Sequence, residues 1–353
     1  MKASKPEDSK KRGAQFRVAI IGAATLKGKE LKELLGERSF PAVEVRLLDD
    51  EESLGQLEAV GDEPAFVQSV VPEHLSGVDF AFFAAEPAFT ARTWELARRA
   101  GCEVIDLSYA LESRAEVSIR APWLEQELGE GHPVQLASAP VVVAHPVSAV
   151  LALLLVRLSR RHKIRQVNVT IFEPASEHGR RGMDELHDQT VNLLSFQQLP
   201  TVVYGTQVAF NVVPSYGEGV EPALASVEQR VLRHYRAISG GRAPEPSLML
   251  LHAPVFHAYT FSIYVEMQSA ISQGDFEAAL AGEHLEIIRT QQSEPSNLNA
   301  SGQTKVQMAI HADAQRETGF WIWAAADNLR IAASMAVEAA EDMAATRPRG
   351  QVQ

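Results

Sequence analysis

The stretch "FRVAIIGAATLKGKELKELLGERS", Phe16–Ser39, decides the fold. Its first third, Phe16–Ala23, is a continuous apolar run, the composition of a strand buried on both faces. Leu31, Leu34 and Leu35 then recur at helical spacing. Downstream the same alternation repeats. "VEVRLLD" reads as a second strand, "AFVQSV" as a short third and "VDFAFFAA" as another. "AFTARTWELARRAG" is a helix closed by Gly101, and "CEVIDLS" is a further strand. Strand and helix in this rhythm imply a doubly wound parallel sheet. The run ends at "VVVAHPVSAVLALLL", Val141–Leu155, where a β-branched strand breaks at "AHP" and enters an apolar helix over 147–161.

Beyond that helix the pattern changes. "IRQVNVTIF" alternates like a strand with one buried face. "GMDELHDQTVNLLSFQQL" is a helix with Met183, Leu186, Leu193 and Leu194 on one side. "TQVAFNVVP", an amphipathic stretch at 225–238, and the segments "SLMLLHAPVFHAYTFSIYVEMQ", "HLEIIRT" and "KVQMAIHAD" follow. They imply an antiparallel sheet with helices on one face. "QQSEPSNLNASGQT" is a loop, "FWIWAAA" a last strand, and "DNLRIAASMAVEAAEDMAA" a long helix placed to return to the first sheet. Phe261, Ile263 and Val265 share one face of their strand, and Tyr264 and Met267 add further apolar surface. So much apolar surface on one sheet implies a homodimer.

The chain has 353 residues, 46% of them hydrophobic and 22% charged, an ordinary soluble composition with room for two domains. The net charge of −12 favours neither nucleic acid nor an anionic membrane as partner. No apolar run approaches a membrane span. The opening "MKASKPEDSKKRGAQ" is polar and basic, read as a disordered tail rather than a secretory signal. Cys102 is the only cysteine, which excludes an intramolecular disulfide and a multi-thiolate metal site. The expected setting is cytoplasmic, and no metal site is expected.

Several ordered motifs resemble the aspartate-semialdehyde dehydrogenase family over residues 16–345. "VAIIGAATLKGKEL" is similar to the family's dinucleotide loop, and "CEVIDLSYALE" to its V-I-D-N-S-S-A-F-R. "IFEPASEHGRRGMDELHDQT" resembles T-Y-Q-A-A-S-G-A-G-x-x-G-M-E-E-L-x-x-Q-T. "FNVVP" matches F-N-V-I-P, and "WAAADNLRIAA" matches W-x-x-x-D-N-L-R-K-G-A-A. The resemblance implies an α/β fold in two parts. One is a Rossmann-like dinucleotide-binding domain at 16–146 with a returning helix at 327–346, after a tail at 1–15. The other is an α+β dimerisation and substrate domain at 147–326, with a mostly antiparallel sheet. The family makes aldehyde from acyl phosphate, reversibly, with NADP and inorganic phosphate. That reaction needs a thiolate, a histidine to move the proton, a glutamine, and arginines that clamp carboxylate and phosphate.

The chemical positions are replaced one by one. The family's cysteine in P-N-C-[ST]-T falls at Pro146, which has no nucleophilic atom, and its asparagine at His145. Ser148 lies close enough to His145 for a Ser–His nucleophile; the plainer reading makes His145 and Pro146 only a turn, since proline opens a helix without losing a needed N–H. Cys102 reads as a small buried apolar residue. The family's glutamine falls at Glu173, its carboxylate-binding arginine at His252 and its histidine at Tyr259. His257, two positions before Tyr259, would share its strand face and stand in as base. The phosphate-binding arginine falls at Glu112, a reversal of charge that should repel phosphate.

The cofactor loop is half kept. Against G-A-T-G-A-V-G the chain reads Gly22-Ala-Ala24-Thr25-Leu-Lys-Gly28, so a side chain stands where the middle glycine meets pyrophosphate. Asp49, Asp50, Glu51 and Glu52 oppose the 2′-phosphate of NADP yet suit a ribose diol. Asn328 matches a position near the nicotinamide, or else caps the helix that begins near Leu329. The reading is a catalytically degenerate member that binds a protein partner or small-molecule ligand, with weak NAD or NADP binding. The alternative is an active NAD(P)-dependent oxidoreductase of the same class with a displaced catalytic residue.

Overall fold

A computed structural model describes residues 15–60, 63–129, 139–289 and 294–346. The tail expected at 1–15 lies, except for its last residue, outside them. Strand β1 (Phe16–Ile21) turns at Gly22 into α1 (Leu26–Glu37). There follow β2 (Ala42–Asp49), β3 (Leu57–Val60), β4 (Glu63–Phe66), β5 (Gln68–Ser69) and α2 (Pro72–Leu75). Then come β6 (Phe80–Phe83), α3 (Pro87–Arg99), β7 (Glu103–Asp106), β8 (Ser118–Arg120), α4 (Pro122–Leu128) and β9 (Val141–Val143). Seven of these strands form one sheet in the order β5-β2-β1-β6-β7-β9-β8, and every pairing in it is parallel. The strand order reverses beside β1, which places the Gly22 loop at the crevice where such sheets take ligands. One expectation is corrected. "AFVQSV" is not a single third strand: β4 pairs back on β3 as a hairpin, and only β5 joins the main sheet.

Helix α5 (Pro146–Arg161), buried along nearly its whole length, leads to the second sheet. The remaining elements are β10 (Ile164–Glu173), α6 (Gly179–Leu194), α7 (Leu224–Ser239), β11 (Ser247–His252), β12 (Tyr259–Met267), α8 (Gln273–Leu280), β13 (Leu285–Ile287), α9 (Asn297–Ala300), β14 (Val306–Ala312), β15 (Gly319–Ala326) and α10 (Asn328–Thr346). The sheet order is β11-β10-β12-β15-β14-β13. Its central pairings are antiparallel and its two outer ones, β10 with β11 and β13 with β14, are parallel.

Three further readings change. Residues 206–214 form no strand; only Val213 bridges to His252. The long segment at 247–268 breaks into β11 and β12 around Pro254, which cannot donate to a ladder. His257 therefore lies in a bend and not on a strand face. Met267 lies on the buried face with Phe261, Ile263 and Val265, while Tyr264 lies half exposed on the opposite face. The return of the last helix is as expected. Arg330 of α10 reaches Glu30, Glu33 and Glu37 of α1, and Glu338 accepts from Trp123 Nε1 at 3.4 Å.

Candidate functional site

The loop after β1 is set by two glycines and a threonine. A Cβ on Gly22 would lie 2.4 Å from Ala85 N, and one on Gly28 would lie 2.2 Å from Gly22 O, so both positions require glycine for packing. Thr25 caps α1: its hydroxyl accepts from Gly28 N at 3.0 Å and donates to Gly22 O at 2.8 Å. Ala24 N, in the same loop, donates to Asp49 Oδ2 at 2.8 Å. Burial raises the Asp49 carboxyl above its ordinary range. Thr25 and Asp49 therefore occupy two of the loop's N–H groups from within the chain.

At the carboxyl end of β7, buried Asp106 accepts from Ser108 N, Ser108 Oγ and Leu111 N at 2.6–3.0 Å. That turn holds Tyr109 and presents Glu112 to α7. Glu112 accepts from Arg230 Nε at 3.0 Å, Arg233 Nη2 at 3.1 Å and His234 Nε2 at 2.9 Å. Burial alone would raise its pKa, but these partners lower it to about 2. The expectation that Glu112 makes the pocket repel phosphate is thereby altered, because its charge is met by two guanidinium groups and a histidine.

Pro146 is the first residue of α5 and is buried. His145 before it accepts from Val147 N at 3.3 Å, and its own N–H donates to His234 Nδ1 at 3.0 Å. Burial, reinforced by His234, Arg230 and Lys27, holds the His145 imidazole well below its usual pKa. Ser148 Oγ donates to Val231 O at 2.8 Å instead of to His145, so the Ser–His pairing is not formed. Cys102 is buried in the core beneath α2 and α3, away from this turn.

From His145 a line of buried rings leads to the remaining positions. His145 lies 5.5 Å from Tyr109 and 6.0 Å from Tyr259, centroid to centroid. Tyr259 donates to Glu173 Oε2 at 3.5 Å. Glu173 Oε1 accepts from Tyr216 at 2.9 Å and lies 3.3 Å from His178 Nε2. The Tyr216 hydroxyl also lies 3.1 Å from His252 Nδ1. Burial opposes the charge on Glu173, yet its bonds to His178 and Tyr216 leave its pKa below the ordinary value. Burial lowers His252 to about 4, against the pull of Glu173. Pro146, Glu173, His252 and Tyr259 are thus gathered into one region, and all four are buried. His178 and Tyr216 were not singled out from the sequence. His178 replaces a small residue of the family motif, and that replacement was the available signal.

Asn328 is fully buried and does not cap α10. Asp327 does, accepting from Leu329 N and Arg330 N at 2.9 Å. Asn328 instead accepts from Ser176 Oγ and Ala258 N and donates to Glu177 at 2.8 Å, tying the turn before α6 to the strand ends.

A parallel sheet with a glycine turn at its switch point, joined to a mostly antiparallel sheet through the strand-to-helix turn at Pro146, is a dehydrogenase-type architecture. The NAD binding domain of semialdehyde dehydrogenase matches residues 17–144, and the semialdehyde dehydrogenase dimerisation domain matches residues 155–331. The chain belongs to the semialdehyde dehydrogenase family. A USG-1 protein homolog of Pseudomonas aeruginosa is 33% identical over 251 residues, 71% of this chain and 74% of that protein. A USG-1 protein homolog of Azotobacter vinelandii is 30% identical over 329 residues, 92% of this chain and 96% of that protein. Aspartate semialdehyde dehydrogenase II of Vibrio cholerae, in its crystal structure complexed with ASA, superposes with a TM-score of 0.84 at 25% identity, covering 95% of this chain and 99% of that one.

Proposed function

We propose that this chain is an aspartate-semialdehyde dehydrogenase-like protein that no longer performs the thiolate reaction and acts by binding a small molecule or a partner protein. The observation that carries this reading is Pro146 at the first position of α5, in the turn where the family resemblance puts the nucleophile. Supporting it, the side chains at Glu173, His252 and Tyr259 bond within the chain: Tyr216 links Glu173 to His252, and Tyr259 donates to Glu173 directly. We take 16–146 with 327–346 as the dinucleotide-binding domain and 147–326 as the dimerisation domain of a cytoplasmic homodimer. A buried single cysteine fits a reducing compartment, and no helix among the described residues is long and apolar enough to cross a membrane.

The test is phosphate-dependent oxidation of aspartate semialdehyde by the purified chain, with NAD and with NADP. No turnover above background is expected. A rate of about 0.01 per second, a thousandth of a typical enzyme's, retained by Pro146→Ala, would overturn the reading. Residual cofactor binding follows from the loop. The family resemblance puts Thr25 where a glycine would meet pyrophosphate, and the acidic residues Asp50, Glu51 and Glu52 that follow β2 would oppose the 2′-phosphate of NADP. NADP should bind more weakly than NAD, and neither tightly. Calorimetry giving micromolar NADP with weaker NAD contradicts this.

A further inference from the structure

Glu173, His178 and His252 each offer one ligand atom, and these atoms lie within 4.8 Å of one another. Glu173 ends β10, His252 ends β11, and the two residues are direct partners in the parallel register, so the backbone holds both donors in place. His178 closes the third side from the turn at Ala175–His178. That turn is itself fixed, since Ala175 N and Ser176 N donate to the carbonyls of Val255 and Phe256 at 2.9 Å. Three donors on three tethered segments form a preorganised set.

The hydroxyl of Tyr216 stands among them, 2.8 Å from His178 Nε2, 2.9 Å from Glu173 Oε1 and 3.1 Å from His252 Nδ1. Donors placed about 2.0–2.1 Å from a tetrahedral ion are separated by about 3.3–3.4 Å. The 3.3 Å between His178 Nε2 and Glu173 Oε1 meets that spacing, and the distances to Tyr216 fall a few tenths of an ångström short of it. We propose that His178, His252 and Glu173 bind one divalent transition-metal ion of the zinc class, with the Tyr216 oxygen as fourth donor.

Hydrogen bonds join all four side chains and leave one atom of the cluster, His252 Nε2, without a partner among the described residues. Tyr216 has one proton, so the neutral network closes when it donates to Glu173 and both histidines donate to its oxygen. Among the described residues His252 Nε2 is then a lone pair with no partner; in the other tautomer, and equally with an ion on Nδ1, it is an N–H with no partner, so the proposal rests on the donor geometry. His252 is fully buried, so either arrangement leaves a polar atom unsatisfied. The Tyr204 hydroxyl, on a ring 4.8 Å from His252, is a second buried polar atom without a partner among the described residues. Two imidazoles with a carboxylate suit zinc, cobalt, nickel or copper, whereas calcium and magnesium take oxygen donors. His178 is the more exposed of the pair, with 9% of its side chain accessible against 2% for Glu173. The inference does not require that aldehyde oxidation be lost: an active dehydrogenase that also holds the metal would overturn the preceding section and leave this one intact.

The experiment uses the full chain, stripped with chelator and titrated with Co²⁺, followed by Zn²⁺ under chelator competition. One Co²⁺ per chain is expected, with visible bands of tetrahedral intensity that Zn²⁺ abolishes. His178→Gln and His252→Gln should each weaken Zn²⁺ at least about tenfold while keeping the wild-type circular dichroism. Should either fail to fold, the isosteric Glu173→Gln takes its place with the same expectation. Tyr216→Phe should still bind but with a changed Co²⁺ spectrum. The proposal is overturned if the wild type binds Co²⁺ no more tightly than about 1 mM, if its spectrum is that of a hydrated octahedral ion, or if binding is unchanged in the ligand variants.

Discussion

At the scale of single residues, Thr25 shows how one side chain redirects a loop. A glycine there would leave the α1 N-terminus open to an anion; the threonine hydroxyl closes it by accepting from Gly28 N. Thr25→Ala removes the cap and should cost about 1 kcal/mol, seen as a lower urea midpoint at unchanged slope. Thr25→Gly should cost only a few tenths of that, because glycine is itself tolerated at caps. The glycine variant should also bind NAD more tightly than the wild type, because backbone then reaches where the hydroxyl stood. If calorimetry finds NAD affinity equal in the two proteins, Thr25 is not what weakens the loop. Glu112 makes the complementary point. Read along the sequence it is a charge reversal; in the fold it is the acceptor for Arg230, Arg233 and His234. Those partners lie more than a hundred positions downstream, and their convergence had no local signature.

At the scale of elements, Glu112 is what fastens α7 to the first sheet. Glu112→Ala leaves Arg230 and the fully buried His234 facing one another without their acceptor. Losing charged hydrogen bonds of this kind should destabilise the protein by about 2 kcal/mol, measured by urea denaturation. The histidines at element ends give a second prediction. Burial lowers His284, stacked 4.3 Å from Trp123, to about 4, with Arg157, Arg38 and Lys305 adding to the shift. His145 at the start of α5 is shifted the same way. The unfolded chain therefore binds more protons than the folded one between about pH 6.5 and pH 4. The stability these groups contribute is present above pH 6.5 and is lost as pH falls toward 4. The buried carboxyls Asp106 and Glu338, whose pKa values are raised, act in the opposite sense, so the comparison must be differential. His284→Asn, which tolerates the positive φ of 67° at that position, should shrink the loss in urea midpoint between pH 7 and pH 5. An identical loss in wild type and variant rules out a contribution from His284.

At the scale of the whole molecule, the two sheets and the return of α10 were legible because apolar periodicity is a local signal that tertiary packing had no reason to override. The segment at 206–214 failed for the converse reason. Val208, Ala209 and Val213 pack with Leu186, and the Gln189 side chain takes the backbone N–H groups of Val208 and Ala209 that a strand would have paired, while Glu185 takes those of Val203 and Tyr204 just before the segment. The same limit applies to the metal cluster, whose three donors share no ligand spacing along the chain. The pairing of two molecules belongs to this scale. Helices α5, α7 and α8 cover one face of the second sheet, burying Phe261, Ile263 and Val265. The other face presents Asn168, Thr170, Ser262, Tyr264 and Trp321, which line a shallow depression of about 430 Å³. Trp321 is 44% exposed and Trp323 36%, a large aromatic surface left accessible among the described residues. The return of α10 does not cover that face, because the helix packs on α1, α4, α5 and β9. A second copy related by a two-fold axis would place this face against itself, and a stable interface of that kind buries about 2,000 Å² or more. The expected species in light scattering is therefore twice the 38.6 kDa chain. Trp321→Glu would set a charge against its symmetry mate and should shift the mass toward the monomer without changing the circular dichroism. A wild-type protein that stays monomeric at tens of micromolar would show that this face is solvated and that the aromatic residues on it serve some other contact.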